Sequence, residues 1–206
     1  MPKIVDHQQR RNEICDAVLT LIAEGGTRAV TTRAAAERAQ WSTGTVNHYF
    51  SNREALMLGA FRRAAHVQGK ELKRLLQDST LTPLQKLHGT IEATLPLDER
   101  RVALTRIFLD YYAETNAVEE THDEVVQYLR NWRGVVTQII DECKADDSIR
   151  SLRSSETLAT ELVALTDGLS MHALLDPSVL SRLVDGQTLT ISFIDDAWGP
   201  IRLMGA

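Results

Sequence analysis

The side chains best suited to chemistry lie in one short run, Ser42-Thr43-Gly44-Thr45-Val46-Asn47-His48-Tyr49-Phe50. Thr43 and Thr45 each offer a hydroxyl and a methyl that can meet thymine, and the Asn47 amide can pair with adenine through two hydrogen bonds. Gly44 removes a side chain where a second molecule would approach the backbone. A helix begun at Ser42 or Thr43 aims its unpaired amides at phosphate. Tyr49 and Arg53 follow where a phenol and a guanidinium could hold a sugar–phosphate chain. His48 could carry a proton in an enzyme, but beside Tyr49 it reads better as another phosphate contact.

Catalytic groupings do not assemble elsewhere. Glu119-Glu120-Thr121-His122 holds one Glu-x-x-His, whereas a di-iron bundle needs two copies and further carboxylates. Ser170 and His172 stand two apart on a helix and so do not share a face. No Gly-x-Ser-x-Gly elbow, P-loop or dinucleotide fingerprint is present. Cys15 and Cys143, the only two cysteines, cannot build a four-thiolate metal site. They read as small core residues in a reducing compartment rather than as a disulfide. The expectation is no enzyme, no cofactor and no metal.

The elements that must position the run at 42–50 read as helices throughout. Ile14, Val18, Leu21 and Ile22 form one apolar stripe on a first helix, about Gln8 to Glu24, ended by Gly25-Gly26. Thr31-Thr32 offers an N-cap for a second, Arg33 to Ala39, and Ser42 or Thr43 caps a third ending near Tyr49. In these two, Ala35 and Val46 face inward. Ser51-Asn52-Arg53-Glu54 fits a capping box for a fourth helix running to about Gln77. Thr82-Pro83 opens a fifth that Pro96 closes, and Asp98 caps a sixth. A long helix spans about Val118 to Lys144, and Ala145 to Ser154 is a loop. Ser155-Glu156 then starts an apolar helix, Leu158 to Leu175, stopped by Asp176-Pro177, and a last one covers Gln187 to Trp198. The expected fold is all-α, with a three-helix helix-turn-helix domain over residues 1–53 and a larger helical bundle over 54–206.

Charge follows that division. The chain carries −5 overall, but residues 1–53 hold seven basic and five acidic side chains, a balance of +2 that leaves −7 for the rest. Distant charges are screened within about 8–10 Å at physiological salt, so a locally basic head can bind phosphate on an acidic body. No apolar run approaches the roughly 18 residues of a membrane helix. The start, Met1-Pro2-Lys3-Ile4-Val5, has no apolar signal core, so the expected location is cytoplasmic, off the membrane.

The string Thr31 to Leu56 resembles the signature of the TetR family of bacterial regulators, most specifically in Ser42-Thr43-Gly44-Thr45-Val46-Asn47-His48-Tyr49-Phe50-Ser51-Asn52-Arg53. The resemblance implies that Arg33, at the start of the second helix, contacts DNA, that Thr43, Gly44 and Asn47 meet base edges, and that Thr45, His48, Tyr49 and Arg53 hold phosphates. The family usually has Gly in the turn, where this chain has Gln40, and a smaller aliphatic where it has Trp41. Gln40 in a left-handed conformation would cost on the order of 1 kcal/mol. Trp41 either closes the small domain's core, which its size favours, or touches DNA. Further on, Asp167 to Pro177 resembles the penultimate helix of a subgroup containing betaine-pathway regulators.

The resemblance implies a homodimer on double-stranded DNA. Two recognition helices must sit about one turn apart to read a pseudo-palindromic operator. The helices at Leu158–Leu175 and Gln187–Trp198 are the candidate dimer interface, being more apolar than one small body can bury. Phe61, Phe108, Tyr111, Tyr112, Trp132, Met171 and His172 are the candidates for an effector pocket, against the alternative that each is core. Aromatic rings with polar tips could cage a quaternary ammonium. The function expected is a repressor released from its operator by a small molecule. The competing class is a ligand-binding or enzymatic helical protein that keeps the helix-turn-helix as scaffold.

Overall fold

The computed structural model describes residues 7–114 and 119–180, and over them the chain is all-α, without a strand. The helices are α1 (His7–Gly25), α2 (Thr32–Arg38), α3 (Thr43–Tyr49), α4 (Arg53–Gln77), α5 (Pro83–Glu92), α6 (Glu99–Glu114), α7 (Glu119–Ala145) and α8 (Ser155–Leu175). A 3₁₀ turn at Thr27–Ala29 joins α1 to α2. The helix expected over Gln187–Trp198 lies outside the described residues. Two compact units divide the chain, one made of Met1–Gly69 with Pro96–His122, the other of Lys70–Leu95 with Asp123–Ala206. The first division falls inside α4, well past the start of that helix.

In the first unit the α1 stripe is the core: Ile14, Val18 and Ile22 are fully buried. Leu21, at the edge of the stripe, is only half-buried. The helix ends where Gly26 takes φ +72, a left-handed conformation that strains any residue with a Cβ. The last carbonyls of α1 are then held from α6: Arg106 Nη1 donates to Ile22 O (2.9 Å) and Ala23 O (2.6 Å). Thr27 Oγ1 donates to Asp110 Oδ1 at 3.0 Å, tying the 3₁₀ turn to the same helix. Beneath lie three rings. Phe61 meets Phe108 edge-on, centroids 5.5 Å apart, and Tyr111 at 4.8 Å.

The start of α4 differs from expectation. Asn52, not Ser51, supplies the cap, its Oδ1 accepting Ala55 N–H at 2.8 Å. Asn is as good a cap as Ser, and it stands one residue closer to a helix whose first turn begins at Arg53.

In the second unit α5 opens on a full capping box between Thr82 and Gln85, with Pro83 at its first position. It ends at Glu92, before Pro96, through turns at Ala93–Leu95. Helix α7 closes with Asp147 at φ 62 and Ile149 N–H reaching back to Cys143 O at 2.9 Å. Ser154 caps α8, accepting Thr157 N–H at 3.2 Å. Cys15 and Cys143 are both free and buried. No described helix is long and apolar enough to cross a membrane.

Candidate nucleic-acid interface

The helix-turn-helix is built from caps and one tight turn. Thr31 Oγ1 accepts Ala34 N–H at 3.0 Å and begins α2. At the other end Trp41 N–H bonds Ala36 O at 2.9 Å around Gln40, which takes φ 58 as the missing turn glycine requires. Ser42 Oγ then accepts Thr45 N–H at 3.0 Å and starts α3 only two residues later. Ala35 and Val46 are fully buried and Phe50 nearly so, fixing which side of each helix faces the core.

That orientation leaves Thr43, Gly44, Asn47 and His48 exposed, one stripe at i, i+1, i+4 and i+5 along α3. A Cβ built on Gly44 would meet nothing nearer than Ser42 Oγ at 3.7 Å. The fold therefore does not require glycine here, although glycine costs a helix up to about 1 kcal/mol relative to Ala. Thr45 is half-buried, its hydroxyl 2.8 Å from Ser42 Oγ and so tied to the cap. Arg33 is exposed on α2.

The far end of α3 is held from α1 by residues that the sequence reading passed over. His7 Nδ1 lies 3.0 Å from Tyr49 Oη, and Arg11 Nη1 donates to Tyr49 O at 3.2 Å. The Arg11 guanidinium also covers the Phe50 ring at 4.4 Å, and Arg10 covers Trp41 at 4.7 Å. The only signal for these was the Arg10-Arg11 pair ahead of the α1 stripe; its partners are about 30–40 residues away in sequence. Trp41 itself is half-buried under Arg10 rather than enclosed in the core that its size suggested. Its neighbours in the turn are too exposed to surround an indole.

Arg53 is turned into the chain. Its Nε donates to Val30 O at 3.1 Å and its Nη2 to Thr27 O at 2.9 Å. It staples α4 to the turn before α2, leaving Nη1 for any outside partner. Arg38 pairs with Glu24 through Nη1 and Nη2, holding α2 against α1, and that contact holds Glu24 below the usual carboxylate range.

The effector candidates belong to both units. Phe61, Phe108 and Tyr111 are buried against one another in the first unit, and Tyr112 on α6 is half-buried. In the second unit Trp132 is half-buried, while Met171 and His172 are exposed on α8. Two polar side chains of that unit, not singled out from the sequence, have outstanding demands. The Thr90 hydroxyl is buried without a hydrogen-bond partner among the described residues. Burial pushes the Asp167 carboxyl up to about 6, with no compensating cation. Burial likewise raises the Tyr128 phenol.

Comparison with known proteins agrees with this geometry. Residues 14–60 match the family model of bacterial regulatory proteins of the tetR family, and residues 83–190 match the C-terminal region of BetI-type transcriptional repressors. The chain is similar to the HTH-type transcriptional regulator PksA of Bacillus subtilis, 28% identical over 183 residues covering 86% of this chain and 84% of PksA. It is 26% identical to the regulator BetI of Rhizobium meliloti over 182 residues, 88% of this chain and 86% of BetI. Among solved structures, a transcriptional regulator from a Rhodococcus species has the same fold, with TM-score 0.74, 22% identity, and 91% and 97% of the two chains covered. A putative regulator from Saccharomonospora viridis, solved in complex with choline, aligns with TM-score 0.75 at 19% identity, covering 92% and 95%.

Proposed function

We propose, for a chain that belongs to the TetR family of transcriptional regulators, that it acts as a homodimeric repressor whose α3 reads a pseudo-palindromic operator and lets go when a small molecule enters the C-terminal region. The observation that carries the reading is the exposed stripe Thr43, Gly44, Asn47, His48 on a helix fixed at both ends. A rigid helix with a small, polar outer face fits the major groove, and its glycine serves contact with something outside the fold. Thr43, Gly44 and Asn47 meet base edges, with Arg33 alongside. Thr45, His48 and Tyr49 hold phosphates. Arg53 acts chiefly by keeping α4 on the turn before α2, with Nη1 as its one phosphate donor. The DNA-binding domain spans 1–53, and the remainder senses effector and dimerises, without enzymatic activity, in the cytoplasm.

Dimerisation is assigned to α8, where Leu165, Met171 and Leu175 are exposed. Leu165, His172 and Leu175 recur at spacings of seven and three, one helical stripe. For the effector we infer a small organic cation. A desolvated, unpaired carboxylate such as Asp167 is stabilised by a cation, and the Saccharomonospora regulator of the same fold was solved with choline. Trp132, half-buried in the same unit, is the ring candidate for that site, while Met171 and His172 lie on the exposed face of α8 given to dimerisation; Phe61, Phe108, Tyr111 and Tyr112 serve as packing.

Fluorescence anisotropy with the protein's own upstream DNA tests the core of the reading. Saturable, salt-dependent binding to one site, weakened by a quaternary ammonium, is expected. Binding no tighter than to random duplex would overturn it.

A further inference from the structure

Two residues of α1 close on one residue of α3. His7 and Arg11 stand one turn apart on α1, at i and i+4, and so share a face. Both reach Tyr49, 42 and 38 residues further along the chain. Arg11 donates through Nη1 to the Tyr49 carbonyl at 3.2 Å, which holds the backbone at the end of α3. His7 Nδ1 lies 3.0 Å from Tyr49 Oη, and the two rings stand 5.9 Å apart, tilted by 53°. One contact places the residue, and the other addresses its hydroxyl. His7 is exposed and Tyr49 half-buried, so the fold does not need this second bond, because water serves an exposed hydroxyl as well as a ring does.

The direction of the His7–Tyr49 bond decides what the hydroxyl does next. A phenol carries one hydrogen. Where Nδ1 is bare it takes that hydrogen, and Oη is left with lone pairs alone. Phosphate oxygens also offer lone pairs, so Tyr49 then cannot donate to a phosphate without breaking the bond. Where Nδ1 carries a hydrogen it donates to Oη, and the phenol hydrogen is released to an outside acceptor. A neutral ring reaches this arrangement by carrying its one hydrogen on Nδ1. A protonated ring has it already, and its charged donor makes the stronger bond. Among the described residues, the other charged or titratable side chains on Tyr49 are Arg11 and His48, whose ring meets the Tyr49 ring edge-on at 5.3 Å. Arg10 lies one turn along α1 from His7, over Trp41. The arginines keep their charge; His48 meets the ring of Tyr49, whereas His7 meets its hydroxyl.

We propose that His7 is a positioning residue for DNA binding: with Nδ1 protonated it turns the Tyr49 hydroxyl hydrogen toward a phosphate, so that binding DNA takes up a proton. This rests on the reading of Tyr49 as a phosphate contact. The chain of donors runs from His7 Nδ1–H to Tyr49 Oη, and from Oη–H to a phosphate oxygen. Solvent supplies the proton. An imidazole changes charge between about pH 5 and 8. The DNA-bound state holds more protons than the free one, so affinity rises as pH falls through that range.

Fluorescence anisotropy at about pH 6 and about pH 8, at fixed ionic strength, tests this on two duplexes, the protein's own upstream DNA and a random sequence. A phosphate contact is made on both. His7→Gln keeps a side chain that hydrogen-bonds but does not titrate. The ratio of affinities at the two pH values is expected to be about fivefold larger in the parent than in His7→Gln, the difference in scale between a charge-assisted and a neutral hydrogen bond. A merely structural loss would weaken binding equally at both pH values. Tyr49→Phe keeps the ring and loses the hydroxyl, and in that background His7→Gln is expected to leave the ratio unchanged. Two results overturn the proposal. One is a His7→Gln variant with the parent's ratio, which would hand any pH dependence to His48. The other is a His7 effect that persists in the Tyr49→Phe background, which would put the imidazolium itself on phosphate. Upstream DNA bound no tighter than random, with the pH step present on both, would instead overturn the operator reading and leave this one standing. No binding to either duplex overturns both.

Discussion

Two helices of this chain present exposed stripes, and they differ in kind. Along α3 the outward residues are Thr43, Gly44, Asn47 and His48, all small or polar, on seven residues capped by Ser42 and clasped by Arg11. Along α8 they include Leu165, Met171 and Leu175, with Leu175 84% exposed, on a helix of 21 residues. A polar stripe on a rigid short helix can exchange its water for base edges and phosphates. An apolar stripe on a long helix gains only by leaving water altogether. In the function proposed above, the first surface meets nucleic acid and the second meets another copy of the chain, and the second must form for the first to be presented twice.

The largest expected effect breaks the α8 side. Leu175→Asp is expected to shift the protein toward monomer in sedimentation velocity. Operator affinity should fall at least about 100-fold, because two half-sites would no longer be held by one rigid body. A monomeric variant that binds the operator as tightly as the parent would dissolve the comparison. Next is the anchor under α3. A Cβ on Gly59 would lie 2.5 Å from Phe50 Cε1 and 3.3 Å from Cys15 Sγ. Gly59→Val is expected to cost about 2–3 kcal/mol by overpacking, read as a lowered urea midpoint. An unchanged midpoint would mean that the Phe50 ring yields freely and α3 is not fixed from below.

Much of this was legible in the sequence, for reasons that differ by element. Caps and stripes are local, so Thr31, Ser42, Thr82 and the buried Ile14, Val18 and Ile22 could be read from spacing alone. The outward face of α3 followed once Val46 was placed inside. Long-range polar contacts were not legible. Arg53 turning to Val30 and Thr27, Arg11 to Tyr49, and Arg106 to the end of α1 join residues 23 to 84 apart, and nothing in local pattern selects among the available arginines. What each aromatic side chain does was not legible either, for a related reason. Phe61, Phe108 and Tyr111 satisfy each other, whereas the unsatisfied groups, Thr90 and Asp167, carry no aromatic signal.

The α3 stripe itself can be sharpened by a pair of variants. Asn47→Ala is expected to weaken operator binding by about 1–3 kcal/mol and random DNA hardly at all, since base pairing by an amide is what specifies sequence. Tyr49→Ala should weaken both alike. Equal losses in the two variants would assign Asn47 to the backbone.

A smaller effect addresses the effector. Asp167 in the folded protein titrates near 6 rather than near 3.8. It binds protons more readily folded than unfolded, so stability falls as pH rises from about 4 to 6. A cation needs the ionised form, about a quarter populated at pH 5.5 and nearly complete at pH 7.5 for a pKa of about 6. Choline, used as probe, is expected to bind roughly fourfold tighter at the higher pH by calorimetry, and Asp167→Asn should remove that difference. A flat profile in the parent would take Asp167 out of the site.

The smallest effect tests the turn between α2 and α3. Gln40 holds φ 58, where a Cβ is strained by about 1–2 kcal/mol. Glycine removes the strain but loses more entropy on folding, about 0.5–1 kcal/mol. Gln40→Gly is therefore expected to stabilise the protein by only about 0.5 kcal/mol, raising the melting temperature by one or two degrees. The backbone path is the same for both residues, so α3 should keep its orientation and operator affinity should stay within about twofold of the parent. Because Gln40 is exposed in the turn, a much larger loss of affinity without loss of stability would have one meaning. The Gln40 side chain itself would be meeting DNA, and the polar surface that α3 presents would begin one residue pair earlier, in the turn.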